Sequence, residues 1–353
     1  MDLKLFDFQL EKSNIALSPV SPRDNSKLLV LDENESIGNA HFYDLPSFLN
    51  PGDTLVVNET KVIPSYFECF KKRFDEISRI KLNLVKEVGN GCWLILAKPK
   101  KRIKINDKII FSAVDSVEAK VIAFEEDDHI KISFNIEKDK LLKWIYVNGT
   151  VPLPPYITSQ RDIDKKDEKS YQTVYAKTQG SFAAPTAGLH FTEELLKKIK
   201  SKGVNVCTVL LHVGSGTFSP IKTNNIKNHK IHSEWCCLDG DSVKILNQTK
   251  ANKNKIIAVG TTSMRILETA INKDGLFSEY IGETNIYITP GFKFNAVDML
   301  VTNFHLPKSS LFVLVCAFYG IKNMQNAYKY AIKNDYRFYS YGDACLIKKN
   351  YDL

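Results

Sequence analysis

The sequence predicts an α/β domain with a mainly parallel sheet, interrupted by a small inserted β-barrel domain. From residue 171 onward, strand-like and helix-like runs alternate, which is typical of a layered α/β sheet. Residues 63–152 instead contain short alternating runs at a spacing of roughly 8–12 residues, which is typical of a small barrel. We therefore expect residues 1–62 and 153–353 to form one discontinuous catalytic domain around a barrel at 63–152.

The individual elements follow from local patterns in chain order. KLLVLD (27–32) and TLVVN (54–58) are apolar runs of strand length, and NPGD (50–53) predicts a turn before the second run. PLPPY (152–156) predicts a stiff, extended connector. Beyond it the predicted helices lie at 192–203, 241–253, 262–272 and 310–320, and they alternate with strand-like runs at 204–214, 255–260, 285–289 and 300–307.

The composition is that of an ordinary globular protein, with 44% hydrophobic and 25% charged residues. The N-terminal residues lack the basic and apolar regions of a signal peptide. The longest apolar run (311–320) is far shorter than the roughly 20 residues that span a bilayer. Seven cysteines without a CxxC pair favour reduced thiols. We therefore expect a cytoplasmic protein without a membrane partner.

The net charge of +8 comes mostly from lysine and is compatible with a polyanionic partner such as RNA. The same charge would follow from a lysine-rich composition, so the net charge alone does not establish that the protein binds RNA. The predicted barrel carries one dense basic run, which is either a candidate RNA contact or a solvated turn. Its members are Lys98, Lys100, Lys101, Arg102 and Lys104.

Five of the seven histidines lie between residues 190 and 305, each in a short run rich in Gly, Thr, Ser, Pro or acid. Histidine titrates near neutral pH and both donates and accepts hydrogen bonds, so it is the usual proton-transfer residue. In a parallel sheet, strand–loop–helix junctions place ligand sites at the carboxyl edge of the strands. The second half of the chain is therefore the predicted active site.

Two glycine-containing junctions suit a bound ligand. IIAVGTTSMR (256–265) predicts a buried strand, a turn and a helix whose first N–H groups cradle an anion, or else an ordinary N-cap. LHVGSG (211–216) predicts a strand that ends at two glycines, which allow a ligand to approach the backbone closely. The absence of a third glycine argues against dinucleotide binding.

Three further runs have competing interpretations. HKIHSEW (229–235) supplies either metal ligands or a base with an acidic partner. In TNFHLP (302–307), alternation along a strand predicts that Asn303 and His305 face one side. YRFYSYGDACLI (336–347) is either an aromatic surface that stacks on a base or a core strand.

Taken together, these runs closely resemble the S-adenosylmethionine:tRNA ribosyltransferase-isomerases of the queuosine pathway. The resemblance extends along the whole chain in the family's order, and its most specific motifs are SFAAPTAGLHFTEELL (181–196), LHVGSGTFSPI (211–221), HSEW (232–235), AVGTTSMRILE (258–268) and LVTNFHLPKSSL (300–311). The chain departs from the family pattern at Ser219, where an arginine is expected, and in the barrel turn at 74–76.

The resemblance implies that the ribosyl group of S-adenosylmethionine is transferred to 7-aminomethyl-7-deazaguanine at the tRNA wobble position. It is isomerised to give epoxyqueuosine, with release of adenine and methionine. S-adenosylmethionine is then a consumed substrate, so neither a cofactor nor a metal is expected. The partners are S-adenosylmethionine and the precursor tRNA, and the enzyme is expected to be a monomer.

The sulfonium acidifies C5′, so this reaction needs a base and a donor that helps adenine leave. The candidates for these catalytic roles are His190, His212, His232, Glu234 and His305. The candidate substrate-binding residues are Pro185, Thr186, Gly188, Gly214, Gly216, Thr217, Gly260, Thr261, Thr262, Arg265, Asn303, Arg337, Tyr341 and Asp343. We expect the motif segments to meet in one pocket at the sheet edge.

Two other hypotheses fit the residues less well. A metal-dependent hydrolase would use His190, His212, His229, His232 and Glu234 as ligands, and metal analysis distinguishes it. A non-catalytic RNA-binding protein would need basic and aromatic surface rather than clustered His, Gly and Thr. Release of adenine from S-adenosylmethionine distinguishes that alternative.

Overall fold

The computed structural model describes residues 1–89, 91–112, 116–126, 128–214 and 221–350. The chain forms two compact units. The first consists of Met1–Lys61, Ser170–Gln179 and Ala184–Leu353, and the second of Val62–Lys169 and Gly180–Ala183. The second unit thus includes Val62 and residues 153–169 and 180–183, which were predicted to belong to the α/β domain. Thr150 exchanges backbone hydrogen bonds with Tyr66. The segment predicted as an extended connector (152–156) is followed by two short helices, the first of which already begins at Pro155.

The secondary structure of the described residues comprises seventeen strands and eight α-helices. The strands are β1 (Lys27–Leu31), β2 (Ile37–His41), β3 (Thr54–Asn58), β4 (Thr60–Val62), β5 (Tyr66–Arg73), β6 (Glu76–Glu87), β7 (Cys92–Lys98), β8 (Lys108–Ile110), β9 (Glu118–Phe124), β10 (Ile130–Phe134), β11 (Thr178–Ser181), β12 (Asn205–Leu211), β13 (Glu234–Leu238), β14 (Ile256–Val259), β15 (Tyr280–Thr284), β16 (Met299–Asn303) and β17 (Ala344–Lys348). The helices are α1 (Lys138–Asn148), α2 (Pro155–Thr158), α3 (Lys165–Ser170), α4 (Glu193–Ser201), α5 (Gly240–Ala251), α6 (Gly260–Ala270), α7 (Ser310–Tyr319) and α8 (Ile321–Lys333).

The first unit is built on a nine-stranded sheet in the order β15-β13-β12-β3-β14-β16-β17-β1-β2. The central strands β12, β3, β14 and β16 are mutually parallel, and β17 pairs with β1 in parallel. The predicted α/β class is confirmed.

Parallel pairing does not extend across the whole sheet, because β15–β13, β13–β12, β16–β17 and β1–β2 are antiparallel. A parallel neighbour needs a long crossover connection, whereas the five-residue turn at 32–36 between β1 and β2 allows only an antiparallel one. Between β16 and β17, the helix pair α7–α8 returns the chain to the sheet edge where β16 ends. The sheet is therefore mixed, with a parallel centre.

The second unit contains the predicted barrel, which is closed and has the strand order β10-β7-β6-β5-β8-β9. Alternate side chains of these strands fill its interior, among them Leu82, Trp93 and Ile132. Helix α1 adds Trp144, whose ring stacks on Phe67 with the centroids 5.3 Å apart. The inserted barrel is confirmed.

None of the helices in the described parts of the chain combines the length and the apolar character that crossing a bilayer requires. All seven cysteines carry free thiols, and five of them are buried.

Candidate active site

The carboxyl ends of the parallel strands β3, β12 and β14 are tied together by a single buried amide, that of Asn58. Its Nδ2 donates to the carbonyl of Leu211 at 3.0 Å and lies 3.5 Å from the hydroxyl of Thr262. Its Oδ1 accepts from the backbone N–H groups of Leu211 at 3.1 Å and Thr60 at 3.2 Å. Because a fixed amide satisfies these otherwise unpaired groups, the sheet edge has a defined geometry.

His190 lies at this edge, in a short 3₁₀ helix over Thr186–His190 that follows Pro185. The amide of Asn303 donates to its Nε2 at 3.1 Å, so the ring proton is on Nδ1 and is donated to Ser26 Oγ at 2.8 Å. Burial lowers the pKa of His190 to about 4, and its ring stacks on Phe42. His190 is therefore neutral at pH 7, and both of its nitrogens are occupied.

Gly188 has no room for a side chain, because a Cβ there would lie 2.0 Å from the hydroxyl oxygen of Tyr175. The Tyr175 hydroxyl and the Oδ1 of Asn303 are both buried, and neither atom forms a hydrogen bond within the described residues. The PTAGLH segment also lies beside the AVGTTS segment, since a Cβ at Gly260 would be 3.7 Å from the Cβ of Ala187. Two of the predicted segments are therefore in contact.

Asn303 and His305 do not face one side of the sheet, as alternation along a strand predicted. Strand β16 ends at Asn303, and His305 turns back so that its Nε2 lies 3.0 Å from the hydroxyl of Thr302. Successive strand residues point to opposite faces, so Thr302 lies on the face opposite Asn303 and His190. Burial lowers the pKa of His305 to about 3, which keeps this imidazole neutral.

His212 follows β12 directly and keeps one ring nitrogen unbonded within the described residues. Its Nδ1 lies 3.0 Å from the hydroxyl of Thr60, and its ring stacks on Trp235 with the centroids 5.2 Å apart. Partial burial lowers the pKa of His212. His305 likewise has only one bonded ring nitrogen, but it is buried, whereas His212 is half-buried and its ring is the more accessible of the two.

Glu234 and Arg265 form a largely buried ion pair, with side chains only 7% and 11% exposed. Glu234 Oε1 also accepts from the N–H of Gly214 at 3.1 Å. Arg265 donates further to the carbonyls of Ile286 at 3.3 Å and Thr284 at 3.4 Å. The ion pair therefore joins α6 to the end of β12 and to the segment after β15.

The side chains of Glu234 and His212 lie on opposite faces of the sheet, because Trp235, the residue after Glu234, stacks on His212. A pocket opens on the Glu234 side and has mixed polar and apolar walls. Burial lowers the pKa of His229 there, with a smaller contribution from His232. The pocket is lined by Gly214, His229, Ile231, His232, Ser233, Glu234, Arg265, Ile286, Tyr287, Ile288, Ser310, Leu311 and Leu314.

The predicted site residues thus meet at one edge of the sheet but divide between its two faces. His190, His212 and Asn303 lie on one face, and Glu234, Arg265 and His305 lie on the other. Helix α6 begins between these two groups of residues. Its first residue is Gly260, which has a φ of +87°, and the next two, Thr261 and Thr262, are buried. Gly216, Thr217 and Ser219 lie outside the described residues.

Of the predicted residues Arg337, Tyr341 and Asp343, the last two are buried and the first is partly exposed. Asp343 accepts from the guanidinium of Arg337 at 2.9 Å and from the backbone N–H of Lys27 at 3.1 Å. Tyr341 is buried in an edge-to-face contact with Tyr171. The segment after Asp343 forms β17 in the sheet core. The core-strand interpretation of YRFYSYGDACLI (336–347) is therefore correct for its last four residues, 344–347.

Within the described residues, no three His, Cys, Asp or Glu side chains converge closely enough to hold a metal ion. Three residues that shape this edge were not predicted from the sequence. Ser26 and Thr60 bond the imidazoles of His190 and His212, and Asn58 bonds the backbone of Leu211, which precedes His212. A single hydroxyl or amide in the sequence has no spacing pattern that reveals its partner.

Comparison with known proteins gives a consistent result. The queuosine biosynthesis protein family matches residues 3–347. The chain is 44% identical to the S-adenosylmethionine:tRNA ribosyltransferase-isomerase of Beijerinckia indica subsp. indica, over 98% of this chain and 96% of that protein. It is 45% identical to the protein of the same name from Brucella ovis, over 99% of this chain and 98% of that protein.

A solved structure is also similar. The crystal structure of S-adenosylmethionine tRNA ribosyltransferase from Thermotoga maritima matches with a TM-score of 0.55 and 33% identity. The match covers 97% of this chain and 99% of that one. The match extends almost end to end along the chain, so the chain belongs to the queuosine biosynthesis protein family.

Proposed function

We propose that this protein is an S-adenosylmethionine:tRNA ribosyltransferase-isomerase. It transfers the ribosyl group of S-adenosylmethionine to 7-aminomethyl-7-deazaguanine at the tRNA wobble position and isomerises it, giving epoxyqueuosine, adenine and methionine. The family supports this assignment. The structural observation that carries it is the edge at which Asn58 joins the ends of β3, β12 and β14 beside neutral imidazoles.

The first chemical requirement is a base for the proton at C5′, which the adjacent sulfonium acidifies. His212 is our candidate. Its lowered pKa keeps the imidazole neutral at pH 7, and a neutral imidazole accepts a proton. When Nδ1–H donates to the hydroxyl of Thr60, the lone pair of Nε2 is available to the substrate. His190 has both nitrogens bonded, so we assign it to positioning Asn303 and Ser26.

The second requirement is a place for the methionine part of the donor, and the pocket beside Glu234 fits it. Since His212 lies on the opposite face, the donor would have to cross the sheet edge, with its sulfonium and C5′ at the strand ends. Ile231, Ile286 and Leu314 supply apolar walls for the aliphatic chain. The carboxylate of Glu234 favours a positively charged group such as the α-ammonium or the sulfonium. Arg265 already has Glu234 as its counter-ion, so a substrate carboxylate would share this guanidinium rather than find it free.

S-adenosylmethionine is consumed in this reaction, and the chain needs no separate cofactor. We further propose that it acts in the cytoplasm, where its tRNA substrate is found, and that it acts as a monomer.

The deciding experiment incubates the purified protein with S-adenosylmethionine and tRNA that carries 7-aminomethyl-7-deazaguanine, and follows adenine by chromatography. We expect adenine release that depends on this tRNA and stops when the wobble position carries guanine. Adenine release that is equal with both tRNAs, or absent with both, would overturn the proposal. Binding of tRNA without any turnover would favour the non-catalytic RNA-binding alternative.

A further inference from the structure

The outer surface of the barrel carries three lysines side by side on neighbouring strands. Strand register places Lys72 of β5 opposite Lys108 of β8, and Lys108 opposite Lys120 of β9. All three side chains are exposed. Since adjacent strands are about 4.8 Å apart, this lysine row spans roughly 10 Å.

Direct pairing of like charges across strands is unfavourable for folding. Glu118 offsets the repulsion at Lys108, because its carboxylate lies 3.4 Å from the Nζ of that lysine. Lys72 and Lys120 form no ion pair with any described residue. Lysines often protect the open edge of a sheet against pairing with other chains, but a closed barrel has no such edge. The lysine row therefore needs another explanation, and an anionic partner supplies one.

Large apolar side chains accompany the lysine row on the same surface. Ile77 of β6 pairs with Lys72 and is 61% exposed, while Phe70 of β5, 46% exposed, lies opposite Arg79. Phe74, in the turn between β5 and β6, is 89% exposed. Cations that hold phosphates beside aromatic side chains that stack on bases are the combination by which proteins bind single-stranded and looped nucleic acid.

We propose that the lysine row, with Phe70 and Phe74 beside it, is a tRNA-binding surface of the barrel that contacts the phosphate backbone. This inference rests on the proposed function, because that function requires tRNA as the substrate. It differs from the basic run predicted from sequence at 98–104, in which Lys100 already pairs with Asp128 at 2.7 Å.

The test compares the full-length protein with a Lys72→Glu/Lys120→Glu variant, which leaves the Lys108–Glu118 pair in place. Affinity for a fluorescein-labelled, unmodified tRNA transcript is measured by anisotropy over a range of KCl concentrations. We expect binding at low salt to weaken by about tenfold or more, and the slope of log Kd against log salt to fall by about two, one for each lost phosphate contact.

Lys143→Glu/Lys165→Glu is the matched control, because these lysines are exposed on α1 and α3 of the same unit, form no ion pair with a described residue, and their substitution changes the net charge by the same amount. It should change the affinity and the slope much less. If the double glutamate variant does not fold, as judged by thermal unfolding, Lys72→Gln/Lys120→Gln replaces it, with the same expected change in slope.

Adenine release, measured alongside, separates this inference from the proposed function. In the double variant we expect a raised KM for the precursor tRNA at an unchanged maximal rate. If the unaltered protein turns over and the variant keeps its tRNA affinity and salt slope, the surface assignment alone is wrong. If the unaltered protein neither binds tRNA nor releases adenine, both are wrong. Binding of the row to phosphatidylserine vesicles, with tRNA affinity unaffected by the substitutions, would likewise overturn it.

Discussion

At the scale of single residues, the histidines of the sheet edge differ in how their ring nitrogens are bonded. His190 has partners on both ring nitrogens, whereas His212 and His305 each have one bonded ring nitrogen within the described residues. His305 is only 7% exposed and His212 is half-buried, so the more accessible His212 is the better candidate for exchanging a proton with a substrate.

His212→Ala should therefore lower the maximal rate of adenine release by about 10²- to 10⁴-fold, the usual contribution of a positioned base. Binding of S-adenosylmethionine, measured by calorimetry, should change much less, because a base acts mainly in the transition state. His41→Ala is a suitable control, since His41 is exposed at the end of β2. A His212→Ala variant with the rate of the unaltered protein would exclude His212 as the base.

Glu234 and Arg265 lead to a different expectation. From the sequence, Glu234 was one of the candidate catalytic residues, and the structure shows it bonded to Arg265 and to the N–H of Gly214. Glu234→Gln leaves a buried guanidinium without its counter-ion, which typically costs about 3–5 kcal/mol.

We therefore expect Glu234→Gln to raise the KM for S-adenosylmethionine and to lower the thermal midpoint together. Combining it with Arg265→Met should be less damaging than the sum of the two single substitutions, because the pair acts as a unit. Additive effects in this double-mutant cycle, measured by denaturant unfolding, would mean that the two side chains do not stabilise one another.

Buried neutral histidines also make the stability of the fold depend on pH. Burial lowers the pKa of His190 to about 4 and that of His305 to about 3. In the unfolded chain both titrate near the ordinary value of about 6.5, so below that pH the unfolded state binds protons that the folded state does not.

The free energy of unfolding should accordingly fall as the pH drops from about 6.5 toward 4, by up to a few kcal/mol for each group. Urea unfolding at several pH values measures this, and His190→Gln, which cannot titrate, should make the decline shallower. An identical pH dependence in the two proteins would show that His190 is not a buried neutral group.

At the scale of elements, the short 3₁₀ helix over Thr186–His190 depends on a glycine. Gly188→Ala places a methyl group on the hydroxyl of Tyr175 and should destabilise the fold by about 1–3 kcal/mol. Adding Tyr175→Phe removes the atom that is struck and should recover part of the loss in thermal unfolding. Gly214→Ala is the control, because no described atom lies within 4 Å of its added Cβ. A Gly188→Ala variant as stable as the unaltered protein would contradict this packing.

The elements themselves were largely predictable, whereas the pairing of side chains was not. Apolar runs such as 54–58 and 256–259 became buried strands because every one of their residues faces a packed layer. The partnership of Glu234 with Arg265 depends on which face of β13 meets α6, and no local spacing encodes that choice. His305 was misplaced because β16 ends at Asn303, so the alternation that relates the two residues stops there.

At the scale of the whole molecule, one prediction concerns metal ions. Dialysis against a chelator should leave the rate of adenine release unchanged, because the proposed reaction is driven by the sulfonium and by proton transfer. Loss of turnover that zinc restores would favour the metal-dependent hydrolase hypothesis instead. Metal analysis of protein purified without chelator is the independent check.

The central claim is that the ribosyl group of S-adenosylmethionine, and not its methyl group, reaches the tRNA. Two samples of S-adenosylmethionine, one labelled with ¹³C in the ribose and one in the methyl group, test this directly when each is incubated with the protein and precursor tRNA. Mass spectrometry of the digested tRNA should then find the ribose label in the modified wobble nucleoside and no methyl label. A nucleoside that carries the methyl label, or neither label, would contradict the account.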